Sequence, residues 1–76
     1  MKTKILQLSS KDLRGKSGVY IISCNNRYYV GSSKSLYDRL LEHRIKLVNK
    51  YHSNDFMQKV CNKYGIQTFY LHTYPK

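Results

Sequence analysis

Tryptophan is absent from this 76-residue chain, proline occurs once, and there are two cysteines, Cys24 and Cys61. Two thiols allow at most one bridge, which excludes a disulfide-built scaffold. His52 and His72 do not stand at zinc-site spacing from them, which argues against zinc. Both thiols read as reduced space-fillers of a cytoplasmic protein, and no secretory leader is recognisable. No apolar run approaches the ~20 residues a membrane span requires. Carboxylates are the scarcest charge: four Asp and Glu stand against fourteen Lys and Arg, a formal net charge of +10. Such an excess favours a polyanionic partner, because each neutralised phosphate releases condensed counterions. Nucleic acid is the first reading of that charge, with a solvated basic surface or an anionic membrane surface as alternatives.

A chain of this length is one small domain with a modest core, and it contains no repeat and no low-complexity tract. Residues 1–16 read as an amino-terminal extension with frayed first residues and one short turn at Ser9-Ser10-Lys11-Asp12. Gly18 to Cys24 is rich in β-branched and aromatic residues and reads as a strand. Asn25-Asn26 tolerates positive φ and suits a two-residue hairpin turn, after which Arg27 to Gly31 returns as a second strand. In that register Tyr20 faces Gly31 and Ile22 faces Tyr29, so Tyr20, Ile22 and Tyr29 share one face, with Val19, Ile21 and Val30 on the other. The two tyrosines become diagonal neighbours with ring-to-ring reach, and Gly31 leaves open space beside the Tyr20 phenol.

Ser35 with Asp38 reads as a helix start, and the helix runs to about Asn49. Its spacing predicts an apolar arc of Leu36, Leu40, Leu41, Ile45, Leu47 and Val48, with Arg44 inside it as a snorkelling side chain. Arg39, His43, Lys46 and Lys50 form a basic stripe beside the arc, and Glu42 is placed to pair with Lys46. A cap at His52-Ser53-Asn54-Asp55 starts a second helix, with Phe56 and Val60 and with Met57, Cys61 and Tyr64 at helical spacing, that stops at Gly65. Thr68 to Tyr74 reads as a third strand. The expected fold is therefore α+β, a small three-stranded, mainly antiparallel sheet with flanking helices in the order β-β-α-α-β.

These residues carry a chemistry. A phenol with a reference pKa near ~10 is a poor base unless cations favour phenolate, and Arg39, His43 and Lys34 are candidates to supply that charge. An arginine fork matches phosphate oxygens, and a histidine titrates near neutrality. Singly, Tyr20 and Tyr29 are ordinary strand aromatics in a chain with eight tyrosines. Together at this spacing they mark a phosphodiester-handling site.

Gly18-Val19-Tyr20 followed by Tyr29-Val30-Gly31 resembles the motif pair of the GIY-YIG nuclease family, and Gly31-Ser32-Ser33-Lys34, Arg39 and His43 continue its pattern. His52-Ser53-Asn54 and Asn62-Lys63-Tyr64-Gly65 are similar to its phage and intron-encoded homing-endonuclease branch. The resemblance spans residues 17–71 and implies a GIY-YIG-like fold and an endonuclease hydrolysing DNA with a divalent metal, Mg²⁺ or Mn²⁺. It implies Tyr20 as general base or as the group positioning the attacking water, and Tyr29 as a hydrogen-bond partner of water or phosphate. Arg39 would hold the phosphate, and His43 would assist Tyr20 or relay its proton. Gly31, Ser33, Lys34, Lys46 and Lys50 are the expected nucleic-acid contacts of a monomeric protein, with DNA as partner and RNA also compatible.

One family component has no counterpart. The family places a metal-binding glutamate at the end of the strand corresponding to 68–74, where this sequence runs Leu71-His72-Thr73-Tyr74-Pro75-Lys76 with Pro75 near the expected position. Asp38 and Glu42 lie ~60–100° round the helix from the Arg39–His43 stripe, and Asp12 and Asp55 have no place in the pattern. No metal ligand is identifiable. Two readings stay open: an amino-terminal piece of a longer nuclease, or a DNA- or RNA-binding module derived from one and no longer cleaving.

Overall fold

The computed structural model describes residues 2–76, with Asp12 described by its backbone alone. Strands β2 (Gly18–Cys24) and β3 (Arg27–Ser33) form the expected hairpin. Asn25 and Asn26 adopt φ of 48° and 65°, the left-handed pair that matches a tight turn to strand twist. Tyr20 pairs with Gly31, Ile22 with Tyr29 and Cys24 with Arg27, which fixes the predicted faces. β4 (Tyr70–Pro75) flanks the other side of β2, antiparallel, with Ile22 opposite Leu71 and Tyr20 opposite Thr73. Gly18 pairs with both Ser33 and Pro75 at this end of β2. A Cβ there would run into the Tyr74 carbonyl oxygen, so the close strand approach requires glycine.

Two expectations for the sheet are corrected. The sheet has four strands, not three, in the order β1-β4-β2-β3. Lys2–Lys4, expected to be frayed, forms β1 on the free edge of β4, and the Ile5 N–H continues the pairing by donating to the Phe69 carbonyl at 3.0 Å. A Lys-Thr-Lys segment has no strand signature of its own; the unpaired edge supplies the partner. The strand expected from Thr68 starts at Tyr70, because Gly65, at φ 89°, leads into a 3₁₀ turn at Ile66–Thr68.

Helices α2 (Leu36–Val48) and α3 (Asp55–Tyr64) put their buried side chains in one core with the Tyr20 face. The short α1 (Ser10–Leu13) and the segment before it add Ile5, Leu8 and Leu13. The apolar arc of α2 is narrower than its spacing predicted. Leu36, Leu40, His43 and Leu47 are buried, whereas Ile45 and Val48 are 43% and 50% exposed. His43 takes the place an aliphatic residue would fill because Tyr20 offers its ring a polar partner inside the core. Arg44 is half-buried and reaches the Ile5 carbonyl with Nη1 at 3.5 Å. Ser35 at the helix start donates its hydroxyl to Asp38 (2.9 Å) and makes no side-chain bond to a backbone amide.

α3 also departs from its pattern. Asn54 caps it, accepting from the Met57 N–H at 3.0 Å. Phe56, at helical spacing with the buried Val60, is 63% exposed, and Gln58 is buried. Its amide is fully used: Oε1 accepts from the His52 N–H (2.9 Å), and Nε2 donates to the Leu47 carbonyl (3.2 Å) and Asn62 Oδ1 (3.0 Å). The opposite sheet face leaves Val19, Tyr28, Val30 and Tyr74 exposed. Among the described residues no helix is long and apolar enough to cross a membrane.

Candidate active site

The hairpin carries Tyr20 and Tyr29 to the buried face with ring centroids 6.4 Å apart and planes 28° apart. The space expected beside the Tyr20 phenol at Gly31 is taken by the Tyr20 ring itself. A Cβ on Gly31 would lie 2.5 Å from both Cζ and Oη of Tyr20. Glycine at this position is therefore what lets the phenol lie across β3.

From α2, His43 brings Nε2 to 2.9 Å from the Tyr20 Oη. Its ring meets both tyrosines edge-on, with centroids 5.5 Å from Tyr20 and 5.3 Å from Tyr29. Behind it stands His52, which the sequence reading placed in a helix cap and in the family resemblance but not among the site residues. His52 Nε2 lies 2.7 Å from His43 Nδ1, and the rings stack at 4.9 Å and 18°. The backbone N–H of Asn54 donates to His52 Nδ1 at 3.0 Å, and Gln58 holds the His52 backbone. The signal that could have found it is the resemblance of His52-Ser53-Asn54 to the homing-endonuclease branch of the family.

Burial changes the expected charge states. Burial first, then the His52, Arg39 and Lys46 charges against an opposing Glu42, push the His43 pKa down to about 4. His43 is therefore a neutral imidazole at pH 7, which corrects the expectation that it titrates near neutrality and supplies a cation. His52 is lowered as well, by burial and by Lys46, with Glu42 opposing. Burial raises the Tyr20 phenol, as do Tyr29 and Glu42, and the Arg39 guanidinium pulls against them. The cationic neighbours expected to favour phenolate are thus outweighed by desolvation.

Arg39 is half-exposed on α2 and pairs with Glu42 at 3.4 Å, while Lys46 reaches the same carboxylate oxygen at 3.5 Å, as its spacing predicted. The guanidinium also lines an open groove with Ser33, Lys34, Ser17 and Lys76 at the mouth of the hairpin. Lys46 and Lys50 are not part of that groove: Lys46 lies a helical turn beyond Glu42, and the exposed Lys50 follows the end of α2. Phosphate oxygens entering the groove would meet Lys34 and Arg39; Tyr20 and Tyr29 are not among its lining residues.

Among the described residues no group of three or more His, Cys, Asp or Glu side chains is disposed to hold a metal ion. Asp38 accepts from Ser35, and Glu42 is committed to two cations. A hard divalent cation needs several free oxygen donors, and this donor set does not fit one. Pro75, the position where a glutamate was expected, is exposed and sits in β4 opposite Gly18.

Buried Tyr20 and half-buried Tyr29, backed by two imidazoles, sit in an α+β domain with a basic groove at the mouth of its hairpin. Comparison with known proteins gives it a family. The model of the GIY-YIG catalytic domain matches residues 16–76. The chain is 46% identical over 59 residues to a probable intron-encoded endonuclease of Neurospora crassa, an alignment covering 75% of the chain and 18% of that protein. It also superposes on a solved structure, the catalytic domain of the intron endonuclease I-TevI bearing a glutamate-to-alanine substitution. The TM-score is 0.67 at 35% identity, over 79% of this chain and 66% of that one. The protein belongs to the GIY-YIG family. It spans less than a fifth of the curated relative's length.

Proposed function

We propose that this chain is the GIY-YIG module of an intracellular endonuclease that hydrolyses DNA phosphodiester bonds. The observation that carries the reading is the contact of Tyr20 with His43; Arg39, whose charge acts on the same phenol, lines the groove together with Lys34. In this reading the groove takes the backbone of one strand through Ser33, Lys34 and the Gly31 edge, and Lys46 and Lys50 extend the contact along α2. Arg39 exchanges Glu42 for the scissile phosphate and neutralises the charge that grows on it. Tyr29 and Tyr20 hydrogen-bond the attacking water and the phosphate. The water oxygen bonds to phosphorus as the bond to the leaving sugar oxygen breaks, giving a phosphomonoester and a hydroxyl. Because burial favours the neutral phenol, Tyr20 acts first as an orienting group.

A second reading follows from the donor set, which fits no divalent cation among the described residues. The same groove then binds nucleic acid without cutting it. Supercoiled plasmid incubated with the chain in Mn²⁺ or Mg²⁺ separates the two. Nicking that is lost in Tyr20→Phe and Arg39→Ala supports hydrolysis. Inert protein that still retards DNA in a strongly salt-dependent way contradicts it and leaves the binding module.

A further inference from the structure

The bonds behind Tyr20 have a direction that can be read from one end. The Asn54 backbone N–H can only donate, so His52 Nδ1, 3.0 Å away, is its acceptor and carries no proton. Neutral His52 then carries its proton on Nε2, which faces His43 Nδ1 at 2.7 Å. His43 Nδ1 is thereby the acceptor, and neutral His43 carries its proton on Nε2, aimed at the Tyr20 oxygen at 2.9 Å.

We propose that His52 is a positioning residue that locks His43 in the Nε2–H tautomer, so that His43 donates a hydrogen bond to the Tyr20 oxygen and does not accept the phenol proton. The inference rests on the reading of Tyr20 as a working group of the site only for its consequence; the lock itself stands on geometry. Protonating either ring breaks it. A proton on His52 Nδ1 would oppose the Asn54 N–H, and a proton on His43 Nδ1 would oppose the His52 Nε2–H, two donors at hydrogen-bond distance in each case. Burial of both rings acts in the same direction.

The consequence concerns where the Tyr20 proton goes. A backbone amide neither gives up nor takes a proton at neutral pH, so the series ends at Asn54 and is no relay to solvent. The phenol proton therefore does not leave through His43, and the oxygen it leaves is met by the His43 Nε2–H. Such a donor favours the phenolate relative to a His43 that accepts from the phenol. Without His52, the His43 ring is free to hold its proton on Nδ1, accept from Tyr20 and tie the phenol into its neutral form. The titratable and charged groups facing His43 are Tyr20 from β2, Tyr29 from β3, Arg39, Glu42 and Lys46 on α2, and His52. Of these, His52 is the group bonded to Nδ1.

The test is long-range ¹H–¹⁵N imidazole spectroscopy on the ¹⁵N-labelled chain, with parent, His52→Ala and His52→Gln compared from pH 5 to 9. The expected result is Nε2–H tautomers of both His43 and His52 in the parent at pH 7. His52→Ala should move His43 to Nδ1–H. His52→Gln, whose amide N–H₂ can still donate to His43 Nδ1, should restore Nε2–H. Nδ1–H on His43 in the parent overturns the proposal even if His52→Ala does not fold, and an unchanged His43 tautomer in a folded His52→Ala overturns it too. Plasmid nicking is read beside it: about a tenfold or greater loss at pH 7 in His52→Ala, with an alkaline shift of the rate profile and recovery in His52→Gln. A parent with the expected tautomers but no nicking sinks the nuclease reading alone.

Discussion

Tyr20 and His43 stand 23 positions apart in the chain, yet their oxygen and Nε2 lie 2.9 Å from each other inside the core. One residue comes from the strand of the first motif and the other from the helix after the second, so the contact locks hairpin to helix. It also explains why a histidine sits on the buried stripe of α2, between Leu40 and Leu47.

Gly31→Ala tests the local geometry of that contact. The added methyl falls 2.5 Å from the Tyr20 Cζ and Oη, and the ring must move off His43. The expected cost is about 1–3 kcal/mol, as for other overpacked sites. Urea unfolding followed by circular dichroism measures it. A change under ~0.5 kcal/mol contradicts the packing of Tyr20 over Gly31.

Acid should destabilise the fold through His43. Its folded-state pKa of about 4 lies below the ~6.5 of an unfolded histidine, so the unfolded chain takes the proton first. Stability is fully present above pH ~6.5 and is lost as pH falls toward 4, by roughly 3 kcal/mol for a shift of this size. His52, lowered in the same direction, adds to the slope. Unfolding free energies between pH 7 and 4.5 give the slope, and His43→Gln should remove more than half of it. Equal slopes for parent and variant contradict a buried neutral His43.

Two positions of the predicted α2 arc have opposite fates, Ile45 exposed and Leu40 buried. Ile45→Lys, at a site expected inside but 43% exposed, should change stability by less than ~0.5 kcal/mol. Leu40→Ala, at a fully buried site, should cost about 2–5 kcal/mol. Thermal melts of the two variants check the pair, and comparable losses contradict the narrow buried stripe of α2.

What was legible in the sequence follows from the range of the forces involved. The hairpin register was readable because Asn25-Asn26 fixes a tight turn and alternation then assigns every side chain. The Tyr20–Tyr29 pair follows from that register, whereas helix spacing put His43 in a basic stripe and only the family resemblance pointed it at Tyr20. β1 was not legible, since only the free edge of β4 makes Lys2–Lys4 a strand. The exposure of Ile45 and Phe56 was hidden because adjacent apolar stripes on a short helix look alike until a polar anchor, His43 or Gln58, selects one. The neutrality of His43 was hidden because spacing shows which residues meet, and burial decides their charge.

Arg39→Ala should leave two marks if the guanidinium meets phosphate beside Tyr20. The slope of log affinity against log salt for a short duplex should fall by about one. The Tyr20 phenol should titrate still higher, because Arg39 is the neighbour that lowers it. Fluorescence anisotropy and ¹³Cζ tyrosine shifts read these, and an unchanged slope removes Arg39 from the DNA-contacting surface.

The placement of the working face is tested most directly by titrating ¹⁵N-labelled chain with a short DNA duplex at low salt and mapping the amide shifts. Perturbations should concentrate at Tyr29, Gly31, Ser33, Lys34 and Arg39, the hairpin mouth and the start of α2. Shifts confined to Tyr28, Val30 and Tyr74 on the opposite sheet face, with the groove silent, would contradict the account.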